Sequence, residues 1–152
     1  MQFALMASSE TLGITIVKAS QPARIELSIS NLSTKPLRMW EEWNSWGAAH
    51  WRVLVVRAGR VEVFYQNPDR GFTLNQPTFI EIKPKTHIKH ILDLGDGDWR
   101  GPDPKAARFR PGDTIIVIYD VPKSYEIGDE MSRYASKAGV WFGVATASTM
   151  IP

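Results

Sequence analysis

Residues 23–31 read ARIELSISN, and their alternation decides the fold. Ile25, Leu27 and Ile29 fall on one side of an extended chain, with Arg24, Glu26, Ser28 and Ser30 on the other. Successive side chains of a β-strand point to opposite faces, so this pattern buries one face and leaves the other in water. Residues 12–18 carry the same phase through Ile14 and Ile16. Residues 51–56 place Val53 and Val55 on one face and Leu54 and Val56 on the other, as expected of a strand covered on both sides. Residues 60–65 follow the turn signal Ala58-Gly59, which predicts a hairpin with 51–56. Further runs at 78–83 and 87–94 flank Pro84-Lys85-Thr86, 113–120 follows Arg110-Pro111-Gly112, and 139–147 closes the set.

Eight or nine short strands separated by turns rich in Pro, Gly, Asn and Asp predict one all-β domain over residues 1–152. The expected architecture is an immunoglobulin- or fibronectin-III-like antiparallel β-sandwich. Residues 127–138 (IGDEMSRYASKA) break the pattern and predict a short helix or an ordered loop, with Asp129 as its N-cap. Residues 67–77 and 95–111 are the two long loops.

The 152 residues are 43% hydrophobic and 22% charged, the balance of a folded globular domain. Eighteen Lys and Arg nearly offset sixteen Asp and Glu, leaving a net charge of +2. The basic residues are scattered, so neither a nucleic-acid footprint nor a lipid-binding patch is expected. There is no cysteine, which excludes disulfides, thiolate metal sites and a cysteine nucleophile. No stretch approaches the length of a transmembrane helix. A cytoplasmic location fits, as does a periplasmic or secreted one after removal of a leader.

Residues 40–51 read WEEWNSWGAAHW, four tryptophans in twelve residues. Indole faces stack on sugars or fill partner pockets, and tryptophan dominates interface hot spots. The competing expectation is core packing, with Trp40 and Trp51 closing the ends of the core around a turn at Asn44-Ser45-Trp46-Gly47. Trp40, Trp43 and Trp46 lie three apart, so at least one is expected at the surface. His87 and His90 would point to opposite faces of a strand, and with His50 they form no metal-ligand pattern. Asp93, Asp96, Asp98 and Asp103 lie in a Gly-rich loop that evokes calcium binding, yet no glutamate stands at the twelfth position, so a solvated turn is expected. The adjacent Glu41 and Glu42 lack the spacing of a glycosidase pair, and no nucleophile elbow, phosphate loop, dinucleotide fingerprint or zinc-protease motif occurs. No enzymatic activity, cofactor or metal is expected.

The segment IELSISNLSTKPLRMW (25–40) resembles the opening of bacterial immunoglobulin-like modules: an apolar strand, Asn31 with a polar turn, then a second apolar strand. IEIKPKTHIKHILDL (80–94) resembles their strand–turn–strand unit, with Lys85 where glycine or an acidic residue is more usual. The named comparison is the intracellular proteinase inhibitor (BsuPI-type) family, over about the first two-thirds of the chain. That resemblance implies a sandwich with a protruding loop, for which residues 67–76 are the candidate. The tryptophan cluster and the insertion at 122–138 depart from it, and no inhibitory residue is carried over. The sequence thus predicts a non-enzymatic binding or protein-interaction module, with a carbohydrate-binding module and a protease-inhibitor-like domain as alternatives. Its ligand-contacting residues are expected to be Trp40, Trp43, Trp46, Trp99 and Arg100, and its partner a protein or carbohydrate.

Overall fold

The computed structural model describes residues 11–44, 46–47, 50–67, 71, 77–104, 107–123, 133 and 137–152. Most of the expected loop at 67–76, and most of the expected helix at 127–138, lie outside the described residues. Ten strands occur in chain order among the described residues: β1 Leu12–Ser20, β2 Arg24–Asn31, β3 Leu37–Trp40, β4 Trp51–Arg57 and β5 Arg60–Gln66, followed by β6 Phe79–Ile82, β7 His87–Asp93, β8 Trp99–Arg100, β9 Thr114–Val121 and β10 Gly143–Met150. The expectation of eight or nine missed β8, whose two residues are too short to show a period. All ladders are antiparallel.

Three sheets make a sandwich-like, all-β architecture: β1-β2-β7, β10-β9-β4-β5-β8, and the ribbon β3-β6. The alternation in β2 works as read, since Ile25, Leu27 and Ile29 are each no more than 1% exposed. Each such burial contributes about 1.5–3 kcal/mol relative to exposure. They meet Val53, Val55, Ile115, Val117 and Tyr119 from the five-stranded sheet in one continuous core. β4 departs from expectation: Leu54 and Val56 are only half-covered, and neighbouring β5 exposes Val61, Val63 and Tyr65. The strand is thus fully buried on one face only. Its apolar outer residues flank one another across ladders within the sheet, Leu54 opposite Val63 and Ile116.

Two turns set the geometry. Ala58 (φ 46°) and Gly59 (φ 77°) are both left-handed, the requirement of a type I′ turn whose twist matches the β4–β5 hairpin. Lys85 is also left-handed (φ 57°). Its amide donates to the Asn31 carbonyl at 3.0 Å, which ties the β6–β7 corner to the end of β2. The last strand begins later than the expected residue 139. Val140 first bridges Arg38 in parallel, and the Trp141 amide donates to the Arg38 carbonyl at 2.8 Å. No helix among the described residues is long and apolar enough to cross a membrane.

Candidate functional site

The turn after β3 carries the tryptophan cluster, and Asn44 shapes it. Its fully buried amide oxygen accepts from the Trp46 amide at 2.9 Å and the Gly47 amide at 3.0 Å. An asparagine side chain that mimics the backbone in this way fixes a turn. Gly47 is required by space: a Cβ would sit 2.0 Å from the Glu41 carbonyl oxygen and 3.0 Å from the Trp40 Cβ. Gly47→Ala is therefore expected to force the turn apart at a cost of about 1–3 kcal/mol. A chemical melt, with the indole resonances as local probes, checks it. An unchanged midpoint with unshifted Trp43 and Trp46 signals would contradict the close approach.

The structure divides the expected ligand-contacting residues. Trp40 (3% exposed) and Trp99 (3%) belong to the core, whereas Trp43 is 44% exposed. Trp46 is partly buried, with its ring 5.8 Å from Trp40 and tilted by 33°. Trp99 falls in the expected loop at 95–111, but β8 pairs it with Gln66 and its indole is buried. Arg100 is exposed opposite Tyr65 and does not border the cleft that holds Trp43. Of the five residues, Trp40 and Trp43 come together at one site.

That site is a cleft of about 350 Å³ between β7 and the β3–β6 ribbon. Ile29, Met39, Ile80 and Ile88 supply its apolar lining, with Trp40 and Trp51 behind; Glu41, Glu42, Trp43 and His90 complete it. The exposed indole of Trp43 is not loose. Its Nε1–H donates to Glu41 Oε2 at 2.8 Å, and the same oxygen accepts from the Thr78 hydroxyl. Asn44 Nδ2 donates to that hydroxyl oxygen at 3.1 Å, and the Glu41 amide donates to the Thr78 carbonyl at 3.1 Å. A surface indole and a carboxylate are thus locked to each other and to the strand below.

Glu42 turns the other way. Its Oε1 lies 2.6 Å from His90 Nε2, and both atoms are shielded from solvent with no further hydrogen-bonding partner among the described residues. Its Oε2 accepts from the Gln66 amide. Gln66 in turn accepts from the Trp51 amide at 3.4 Å. The His90 ring stacks on Trp51 at 5.0 Å and 16°, Trp51 meets Tyr119 at 4.4 Å with a tilt of 37°, and Tyr119 stacks on Trp141 at 5.8 Å. An aromatic ladder therefore runs from the cleft into the core.

The sequence points to structural or solvated histidines rather than metal ligands, and it does not pair His90 with Glu42. The signal was present: His90 shares the inward phase of Ile88 and Leu92 along β7, while His87, Lys89 and Ile91 face out. As expected, His87 and His90 diverge. A histidine in phase with the core asks for a partner, and Glu42 supplies it.

His50 stands apart from the cleft. It is 7% exposed, with Nδ1 2.9 Å from the Asp120 carbonyl and Nε2 2.8 Å from the Trp46 carbonyl. Burial lowers its pKa below the ordinary imidazole value, and the two carbonyls oppose that shift. In the acidic loop, Asp93 accepts from the Gly95 amide at 3.0 Å and Asp96 from the Asp98 amide at 2.9 Å, the local turns such residues favour. No group of three or more metal-ligating side chains occurs among the described residues. No family model, curated protein or solved structure matches this chain.

Proposed function

We propose that the chain is a non-enzymatic binding module that engages a protein partner through the cleft beside Trp43. The observation that carries this reading is the immobilised, exposed indole. Ordering a side chain on binding costs about 0.5–1.5 kcal/mol, and the Glu41–Thr78–Asn44 chain has met that cost in the free protein. An apolar lining next to fixed polar groups is the usual anatomy of a recognition pocket. The Glu42 carboxylate and the His90 ring are engaged with each other, Gln66 and Trp51, an arrangement that supports positioning rather than chemistry. A sugar ligand is the second reading, since carboxylates beside an indole also suit hydroxyl groups. A platform of several coplanar indoles would favour it, but Trp43 stands alone in exposure and Trp46 is tilted from Trp40.

The test is a titration of the indole N–H resonances with a panel of short soluble peptides and a panel of oligosaccharides. Peptides are expected to shift the Trp43 signal saturably. Trp43→Ala, measured by calorimetry because it lacks the reporting indole, should weaken that binding by about 2 kcal/mol, roughly thirtyfold, as for an interface hot spot. Its melt should stay within about 0.5 kcal/mol of the parent, as for a surface substitution. Saturable shifts with oligosaccharides alone would replace the protein partner by a sugar; silence with both panels would remove the cleft as a recognition site.

A further inference from the structure

The cleft has a sign. Its titratable lining is Glu41, Glu42 and His90, two carboxylates against one imidazole, in a molecule whose overall charge is +2. The other charged groups on the adjoining ribbon offset each other, because Arg38 Nε lies 3.1 Å from Glu81 Oε2. Both oxygens of Glu42 are already engaged within the fold, Oε1 against His90 and Oε2 by the Gln66 side chain. Glu41 differs: the Trp43 indole and the Thr78 hydroxyl, both neutral donors, converge on its Oε2 and fix the carboxylate without cancelling its charge. A fixed carboxylate at the edge of a fixed, exposed indole is complementary to a planar cation. A guanidinium can lie on the ring face and donate to the carboxylate at once, which an ammonium does less well.

The same chain already uses that arrangement internally. The Arg38 guanidinium sits 4.5 Å above the Phe79 ring while donating to Glu81 at 3.1 Å. Trp43 with Glu41 repeats the aromatic and the carboxylate, with no arginine on them among the described residues. We propose that the partner supplies it: the cleft receives an arginine side chain, its aliphatic stem against Ile80 and Met39 and its guanidinium between the Trp43 face and Glu41. This rests on the reading of the cleft as a protein-recognition site and names the group recognised there.

The probes are acetyl-Gly-Arg-Gly-amide and its citrulline counterpart, the same shape without the charge, each titrated against the full chain while the Trp43 indole N–H is followed. The arginine peptide should shift that resonance saturably, with a dissociation constant on the order of 1 mM, as suits one side chain. The citrulline peptide should bind at least about tenfold more weakly, and raising the salt should weaken the arginine peptide alone. Glu41→Gln keeps the shape of the clamp and should lose about the same factor; Trp43→Ala, which lacks the indole probe, is followed through the arginine peptide's own resonances and should abolish saturable binding in a protein that stays folded. Equal binding of citrulline, undiminished binding by Glu41→Gln, or no saturable shift with arginine overturns the proposal. If neutral or acidic peptides from the panel still bind, the guanidinium assignment fails and the cleft stands. If no peptide binds, both fall.

Discussion

Asp113→Ala is expected to remove about 2–4 kcal/mol of stability, because it deletes three charge-assisted hydrogen bonds at a buried carboxylate. Asp113 is 1% exposed and follows the Arg110-Pro111-Gly112 turn at the foot of β9. Its Oδ1 accepts from Arg57 Nε at 2.8 Å, and its Oδ2 accepts from Arg57 Nη2 at 2.7 Å and the Arg110 amide at 2.8 Å. The fork-to-fork contact joins the end of β4 to the start of β9, two central strands of the larger sheet. Removing the carboxylate leaves the Arg57 guanidinium with the Arg108 carbonyl at 2.8 Å and Glu62 at 3.7 Å. Asp113→Asn keeps the volume and should cost less. Hydrogen bonding from Arg57 is the main cause holding the Asp113 carboxyl below its ordinary value of 3.8; burial opposes it. As acid is added, the unfolded chain takes up this proton before the folded one does, so the stabilisation is complete above the ordinary carboxylate range and falls with pH below it. Urea melts at neutral pH and in acid check both parts: the acid loss should be shallower in Asp113→Asn than in the parent. Parallel acid limbs would show that Asp113 carries no such linkage.

The legible and illegible parts of the molecule separate by range of interaction. Alternation in residues 25–29 reports one strand's contact with the core, so β2 and its inward residues were readable from sequence. The β4–β5 hairpin was readable for the same reason, because Ala58-Gly59 is a local signal. Trp99 was misread because its burial depends on pairing with Gln66, 33 positions earlier by residue number. The cleft shows the same limit: Trp43 and Glu41 lie two apart in the sequence, yet the clamp needs Thr78 from the segment just before β6. Glu42 and His90 meet only because β7 packs beside the turn after β3. Their adjacency is a product of topology, which no window along the chain contains.

The cleft's walls depend on a residue far less conspicuous than tryptophan, and Asn31→Leu is expected to cost about 3 kcal/mol or more for that reason. Asn31 ends β2 with no solvent exposure. Its Nδ2 donates to the Lys35 carbonyl at 2.8 Å and the Ile82 carbonyl at 2.9 Å, while Oδ1 accepts from the Ser33 amide at 2.9 Å and hydroxyl at 2.7 Å. Its own amide donates to the Thr86 carbonyl at 2.9 Å. One side chain thus pins the three-stranded sheet to β6, the strand that presents Ile80 to the cleft. Leucine has a similar size but leaves several buried polar groups unmatched, each worth about 1–3 kcal/mol. Asn31→Asp is a sharper test. A carboxylate there keeps the acceptor facing Ser33 but turns its second oxygen on two carbonyls, so neutral pH should destabilise it at least as much as leucine does. Protonation restores one donor, so acid should narrow its gap from the parent, the reverse of the Asp113 trend. Melts across pH read the gap, and amide exchange in β6 reads the loosening directly. A gap constant with pH, or unchanged protection at Ile82, would mean that the two sheets are held together elsewhere and that the cleft does not depend on this hub.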